Sequence, residues 1–179
     1  IGKTSYITVP GNFSNSGTVT LNSDSDEFSS IIVSGTATGN IIYNRYVNQV
    51  GAGEWDLIGS PVSGLTINSF ITETSNASSI ARNGSLYAVG SYDNISDTWT
   101  NATIATTGSL NLGQGYQMAT TSGGTLAFTG TVATGNQTIT IQNNDAANLG
   151  TGRRWNLVAN PFPSYIKGNI EADATNNFI

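Results

Sequence analysis

Trp55-Asp56-Leu57-Ile58-Gly59-Ser60-Pro61-Val62 returns as Trp155-Asn156-Leu157-Val158-Ala159-Asn160-Pro161-Phe162. Each copy reads Trp, a short polar residue, two aliphatics, a small residue, Ser or Asn, Pro, then an apolar residue. A second echo lies upstream. Gly35-Thr36-Ala37-Thr38-Gly39-Asn40 recurs, with one residue inserted, as Gly130-Thr131-Val132-Ala133-Thr134-Gly135-Asn136. An apolar run precedes each echo, Ile31-Ile32-Val33 and then Leu126-Ala127-Phe128. Self-similarity at a fixed offset is the mark of a repeat architecture and is read before anything else. Trp55 and Trp155 stand among aliphatics, so both are expected in the core, where an indole buries a large area and needs one partner for its N–H. Pro61 and Pro161 close the two strands, because proline has no N–H to donate to a ladder.

Working outward, the remaining runs are short and separated by turn chemistry. Ser5 to Val9, Thr18 to Leu21, Ile31 to Val33 and Ile41 to Tyr43 are strand-like, with Pro10-Gly11-Asn12 and Asn22 to Asp26 as breaks. Short strands at even spacing predict a parallel β-solenoid or the edge of a sandwich over residues 1–48. Residues 49–148 read as one complete β repeat module of sandwich type. Its strands are expected at Ser85 to Val89, Leu110 to Met118, Thr125 to Phe128 and Gln137 to Ile141. Residues 73–84 read as a loop, with one helical turn at most around Ile80-Ala81-Arg82. Residues 149–179 read as the start of a following module. No stretch shows sustained helical periodicity, so the expected class is all-β. Because Ile1 rather than Met stands first, a processed or excised piece is expected.

Composition bounds the chemistry. The 179 residues are 37% hydrophobic and 9% charged, with a net charge of -5, against roughly 25% charged in an average domain. The surface must therefore be Ser, Thr, Asn and Gly, a neutral hydrogen-bonding exterior common in proteins that work outside cells. Six Lys and Arg, with Arg153-Arg154 as the one basic pair, give no electrostatic footprint for nucleic acid. No apolar run reaches the roughly 18 residues of a membrane span, so no membrane insertion is expected. The sequence contains neither His nor Cys, which excludes Ser-His and Cys-His nucleophiles and His or Cys metal sites within it.

The candidate chemistry that remains is thin. Glu54 and Asp56 lie two apart on one strand face and formally permit a carboxylate pair, though a solvated strand end is the plainer reading. Asp24, Asp26 and Glu27 carry oxygen ligands suited to calcium but lack the full loop pattern, so an acidic turn is favoured. Asp93, Asn94 and Asp97 are likewise favoured as turn residues. Gly113-Gln114-Gly115 lacks the lysine and spacing of a phosphate loop and reads as a bulge or tight turn. Tyr92 and Trp99, among Thr and Asn, are candidates for an aromatic platform under a sugar ring. Asn-x-Ser/Thr triplets at Asn12, Asn76, Asn83, Asn94, Asn101 and Asn136 mark segments expected to tolerate exposure.

Trp155-Asn156-Leu157-Val158-Ala159-Asn160-Pro161-Phe162-Pro163-Ser164 resembles the Trp-Asn-Leu-Val-Gly-Asn-Pro-Tyr-Pro-Ser segment of repeat modules in secreted and cell-surface proteins of the Bacteroidota, many exported by the type IX secretion system. Leu86 to Val89, Asp93, Trp99, Leu112 to Tyr116 and Gly124 to Gly130 resemble the rest of that repeat. Gly11 to Leu21 resembles the solenoid rungs that often precede it. The first copy departs from the pattern, with Val62-Ser63 where an aromatic and a second proline are usual. The resemblance implies a structural or adhesive module at a bacterial cell surface or in a filament. Its partners would be neighbouring modules, identical subunits or a surface polysaccharide; no cofactor and no catalysis are implied. A carbohydrate-binding module using exposed aromatics is the alternative.

Overall fold

Residues 1–51, 55–143 and 155–166 are described by the computed structural model. The described elements are β1 (Tyr6–Val9), β2 (Phe13–Ser14), β3 (Thr20–Leu21), β4 (Ser30–Val33), β5 (Ala37–Thr38), β6 (Ile41–Val47), β7 (Asp56–Gly59), β8 (Val62–Ser63), α1 (Ile67–Thr72), α2 (Thr74–Ser79), β9 (Arg82–Asn83), β10 (Leu86–Tyr87), β11 (Val89–Asp93), β12 (Thr98–Asn101), β13 (Gly115–Met118) and β14 (Gly124–Val132). Among the described residues the protein is all-β with two short helices.

The first three strands pair in parallel with the next three. Tyr6 lies opposite Ser30, Phe13 opposite Ala37 and Thr20 opposite Ile42. The chain thus makes two stacked turns, each about two dozen residues long, and its short strands leave little room for anything but turn residues between them. The second turn does not end at residue 48. β6 continues as the antiparallel partner of β14, from Val47 opposite Gly124 to Ile41 opposite Gly130. The sheet order is β3-β6-β14-β8, and a second four-stranded sheet runs β12-β11-β13-β7.

The boundary expected between residues 48 and 49 is therefore bridged by the longest strand pair. One core includes Leu21, Ile31, Ile41 and Val47 from the first part with Val62, Phe70, Met118, Leu126 and Phe128 from the second. Burial along β14 alternates, with Leu126, Phe128, Gly130 and Val132 inside, as the two-residue period of a half-buried strand requires.

The loop expected over residues 73–84 is in part a helix, α2, which follows directly on α1. Thr66 caps α1, its side chain accepting from Ser69 N–H while Ser69 returns the bond to Thr66 N–H; this reciprocal arrangement satisfies two donors that a helix start leaves open. Glu73 caps α2 by accepting from Ser75 and Asn76 N–H. Six residues each carry too little periodicity to be read from sequence, yet Phe70 and Ile71 are buried, and the Phe70 ring lies 4.7 Å from Phe128.

Asn76 corrects the expectation that the Asn-x-Ser/Thr positions tolerate exposure. It is fully buried. Its amide donates to Phe70 O and Ala127 O, each at 2.9 Å, and accepts from Ala127 N–H at 2.7 Å. The side chain thus completes the edge of β14 as a strand would. Asn94 is buried too.

The two echoes owe their likeness to position. Gly39 and Gly135 occupy matching places and both adopt positive φ, 79° and 67°, a conformation in which a side chain is strained. The segments also meet, since Thr131 Oγ1 lies 3.3 Å from Asn40 Oδ1. The Trp-Pro copies meet as well. β7 runs antiparallel to β13, with Ile58 opposite Tyr116. The second copy runs antiparallel to the same segment, with Val158 opposite Gln114, Gly115 N–H donating to Leu157 O and Ala159 N–H to Gly113 O. A Cβ on Gly59 would stand 2.3 Å from the Ala159 Cβ, and one on Gly115 would stand 2.4 Å from Leu157 Cγ. The small residues of the motif are what let the two copies touch.

The copies differ at their tryptophans. Trp55 is half-buried against the core, but Trp155 is 71% exposed, so the core placement of Trp155 is overturned. Continuing the register from Val158 would set Trp155 opposite Gln117. Gln117 is already flanked by Gly90 and Leu57. The ladder has no place for residue 155, and its indole is left outside. Pro61 and Pro161 are both buried, at the ends of their segments. Gln137 to Ile141, expected as a strand, forms no ladder.

Candidate functional site

β11 and β12 are joined by a tight turn that Asp93 organises, accepting from Ile95 N–H at 2.9 Å and from Ser96 Oγ at 2.7 Å. Asp97 takes positive φ, 57°, the turn geometry Asp tolerates better than most residues. The pairing that follows sets Tyr92 directly opposite Trp99. Their ring centroids are 5.2 Å apart and tilted by 48°, within the range of favourable aromatic pairs. Tyr92 OH donates to Asp97 Oδ1 at 2.8 Å. Desolvation, and after it this hydrogen bond to Asp97, raise the Tyr92 phenol above its ordinary value.

The two residues singled out from sequence are therefore brought together, and others join them. A cleft of about 570 Å³ is lined by Tyr92, Trp99, Leu57, Trp155, Leu157 and Val158, with Asp97 and Asn156 as polar groups. Trp99 is 44% exposed, Leu57 62% and Val158 50%. A second cleft, of about 380 Å³, shares Tyr92 and the Trp155-to-Val158 segment and adds Asn111, Gln114, Thr138, Thr140 and Gln142. The exposed segment thus borders aromatic and aliphatic side chains in one cleft and a mixture of amides, hydroxyls and the aliphatic Leu112, Ile139 and Ile141 in the other.

Asn156 holds the two together. Its Oδ1 accepts from Gln142 N–H at 2.9 Å and its Nδ2 donates to Gln142 O at 2.8 Å, so a side-chain amide pairs with the backbone where no strand does. Asn94 Nδ2 donates to Gln142 O at 3.1 Å. Sequence reasoning missed Trp155 here because aliphatic neighbours made it look like core.

The acidic candidates form no centre. Asp24 accepts from Asp26 N–H and Glu27 N–H, at 3.1 and 2.9 Å, and from Lys3 Nζ. The Lys3 hydrogen bond foremost, then the two backbone donors, hold its carboxyl down at about 2. It closes a turn. Asp26 and Glu27 are exposed beside it, and among the described residues no group of three or more acidic side chains is placed to hold a metal ion. Asp56 accepts from Asn48 N–H at 2.6 Å and Asn48 Nδ2 at 3.0 Å, while Glu54 lies outside the described residues. Gly113 occupies a turn at positive φ, 76°, as a bulge glycine does. Among the described residues no helix is long and apolar enough to cross a membrane.

A family model described as a domain of unknown function (DUF8693) matches residues 1–178. No curated protein and no solved structure matches the chain.

Proposed function

We propose, for a chain that belongs to the DUF8693 family, the role of a structural and adhesive module in an extracellular bacterial protein. The observation that carries this reading is mechanical. Three stretches far apart in sequence are tied into one body: Ile31 N–H donates to Pro163 O, Gly115 N–H to Leu157 O, and Phe28 stacks on Tyr165 with centroids 4.1 Å apart. Such cross-ties resist shear, which a stalk requires. The nearly uncharged exterior and the resemblance to Bacteroidota surface repeats, many of them type IX secretion substrates, support an address at the cell surface. The absence of His and Cys from the sequence supports a non-catalytic role, and six cations in all favour no nucleic-acid partner. Neighbouring modules or identical subunits are its structural partners in this reading.

A second reading, a carbohydrate-binding module, is favoured by the cleft that joins Tyr92 and Trp99. Antibody labelling of intact producing cells, with protease shaving as a control, tests the first reading, together with retention of protein-coated beads on the cell surface under flow. Surface label and retained beads are expected. Label that appears only after lysis, or beads that wash off like uncoated ones, overturns it.

A further inference from the structure

From the paired clefts we infer that Trp155, with Tyr92 and Trp99, is a stacking residue in a binding trough for a neutral polysaccharide. The inference rests on the adhesive reading and names what the module adheres to. Three aromatic side chains on one face, one of them 71% and another 44% exposed, are costly to leave in water unless something covers them. The surroundings select the occupant. A protein or lipid partner calls for a continuous apolar face, but this one is interrupted by Asp97 and Asn156 and continues into a cleft where amides and hydroxyls are interleaved with Leu112, Ile139 and Ile141. Sugar rings match that alternation, with apolar C–H faces for the aromatics and hydroxyls around the rim for Asn111, Gln114 and Thr138. The chain carries a net charge of -5 and Asp97 lines the trough, so a polyanion meets like charge. The combined size suits several sugar units rather than one, which points to a chain and not a free monosaccharide.

Native gels cast with soluble neutral polysaccharides (hydroxyethylcellulose, laminarin, galactomannan, xylan) or with anionic alginate and polygalacturonate provide the test, followed by titration calorimetry on any that retards the protein. Retardation by at least one neutral polysaccharide is expected. Trp99→Ala and Trp155→Ala should each weaken it about tenfold, and Trp155→Phe should restore most of the loss. Tyr6→Ala, which removes a 74% exposed ring from β1, should bind as the wild type. Melting curves of all variants keep folding out of the comparison. No retardation in any neutral gel, binding confined to the anionic gels, or retardation that both tryptophan variants keep, overturns the inference. Where coated beads still hold to cells in that event, the adhesive reading stands and the glycan alone is lost.

Discussion

At the scale of single residues, the largest effects belong to side chains that substitute for backbone. Asn76 supplies three hydrogen bonds to backbone groups, two of them on Ala127. Asn76→Ala leaves these buried groups unpaired and should cost about 3 kcal/mol, read from denaturant unfolding. An unchanged midpoint would mean that water takes over the edge of β14. The two tryptophans should separate cleanly. Trp55→Ala should cost about 1–3 kcal/mol, below the range for a fully buried indole because Trp55 is half-buried, whereas Trp155→Ala should stay within about 0.5 kcal/mol. Asp24 should show in the acid limb. Its folded-state carboxyl is held at about 2, below its unfolded value of 3.8, so its contribution is present above 3.8 and is lost as pH falls toward 2. Carboxyl NMR should give a midpoint near 2 for Asp24, rising in Lys3→Ala; because the side chains are half exposed, the stability change should be small and weaken with salt. A midpoint unmoved in that variant would assign the shift to the backbone donors alone.

At the scale of elements, the contact between the two Trp-Pro copies depends on the absence of side chains in between. Gly115→Ala drives a methyl into Leu157, and overpacking of this kind costs about 1–3 kcal/mol. Trimming the neighbour should relieve it, so the double variant Gly115→Ala, Leu157→Ala should be less destabilised than the sum of the two single ones. A double-mutant cycle that closes with no coupling would mean the second copy is not seated on Gly115. The short helices make the complementary point. Neither is long enough to stand alone in water; caps at Thr66 and Glu73 and the burial of Phe70 and Ile71 hold them on β14. Removing Phe70 should therefore unseat both helices and loosen the adjoining edge, visible as faster amide exchange at Ala127.

At the scale of the whole molecule, β6 and β14 join the parallel-paired turns to the rest. Seven facing residue pairs cross the point between residues 48 and 49, and the core runs through both parts without a break. Calorimetry should accordingly show a single transition, with the calorimetric and van't Hoff enthalpies equal. Two resolved transitions would restore a boundary near residue 48 and reduce the β6–β14 ladder to a contact between independent domains.

Much of this was legible in the amino-acid order. Alternation in Thr125 to Phe128, turn residues between short runs, and the lack of a sustained helical period determined an all-β chain, because a two-residue period is local and survives without knowledge of the partner strand. The Gly39 and Gly135 turns and the closing role of Pro61 were legible for the same reason, as was the pairing of Tyr92 with Trp99 across one short turn. What the tertiary structure decided was who lies beside whom. Asn76 reads as an exposed triplet until β14 is laid against it, Gln137 to Ile141 reads as a strand although no described strand pairs with it, and residues 1–48 read as a separate unit until β6 finds β14. Trp155 is the sharpest case. Its sequence matches that of Trp55, but Gln117 already has Gly90 and Leu57 at its two edges, and a ladder position can be filled only once on each side. Competition between distant strands for the same backbone groups, which no local pattern records, turned one copy of the motif toward the core and the other toward solvent.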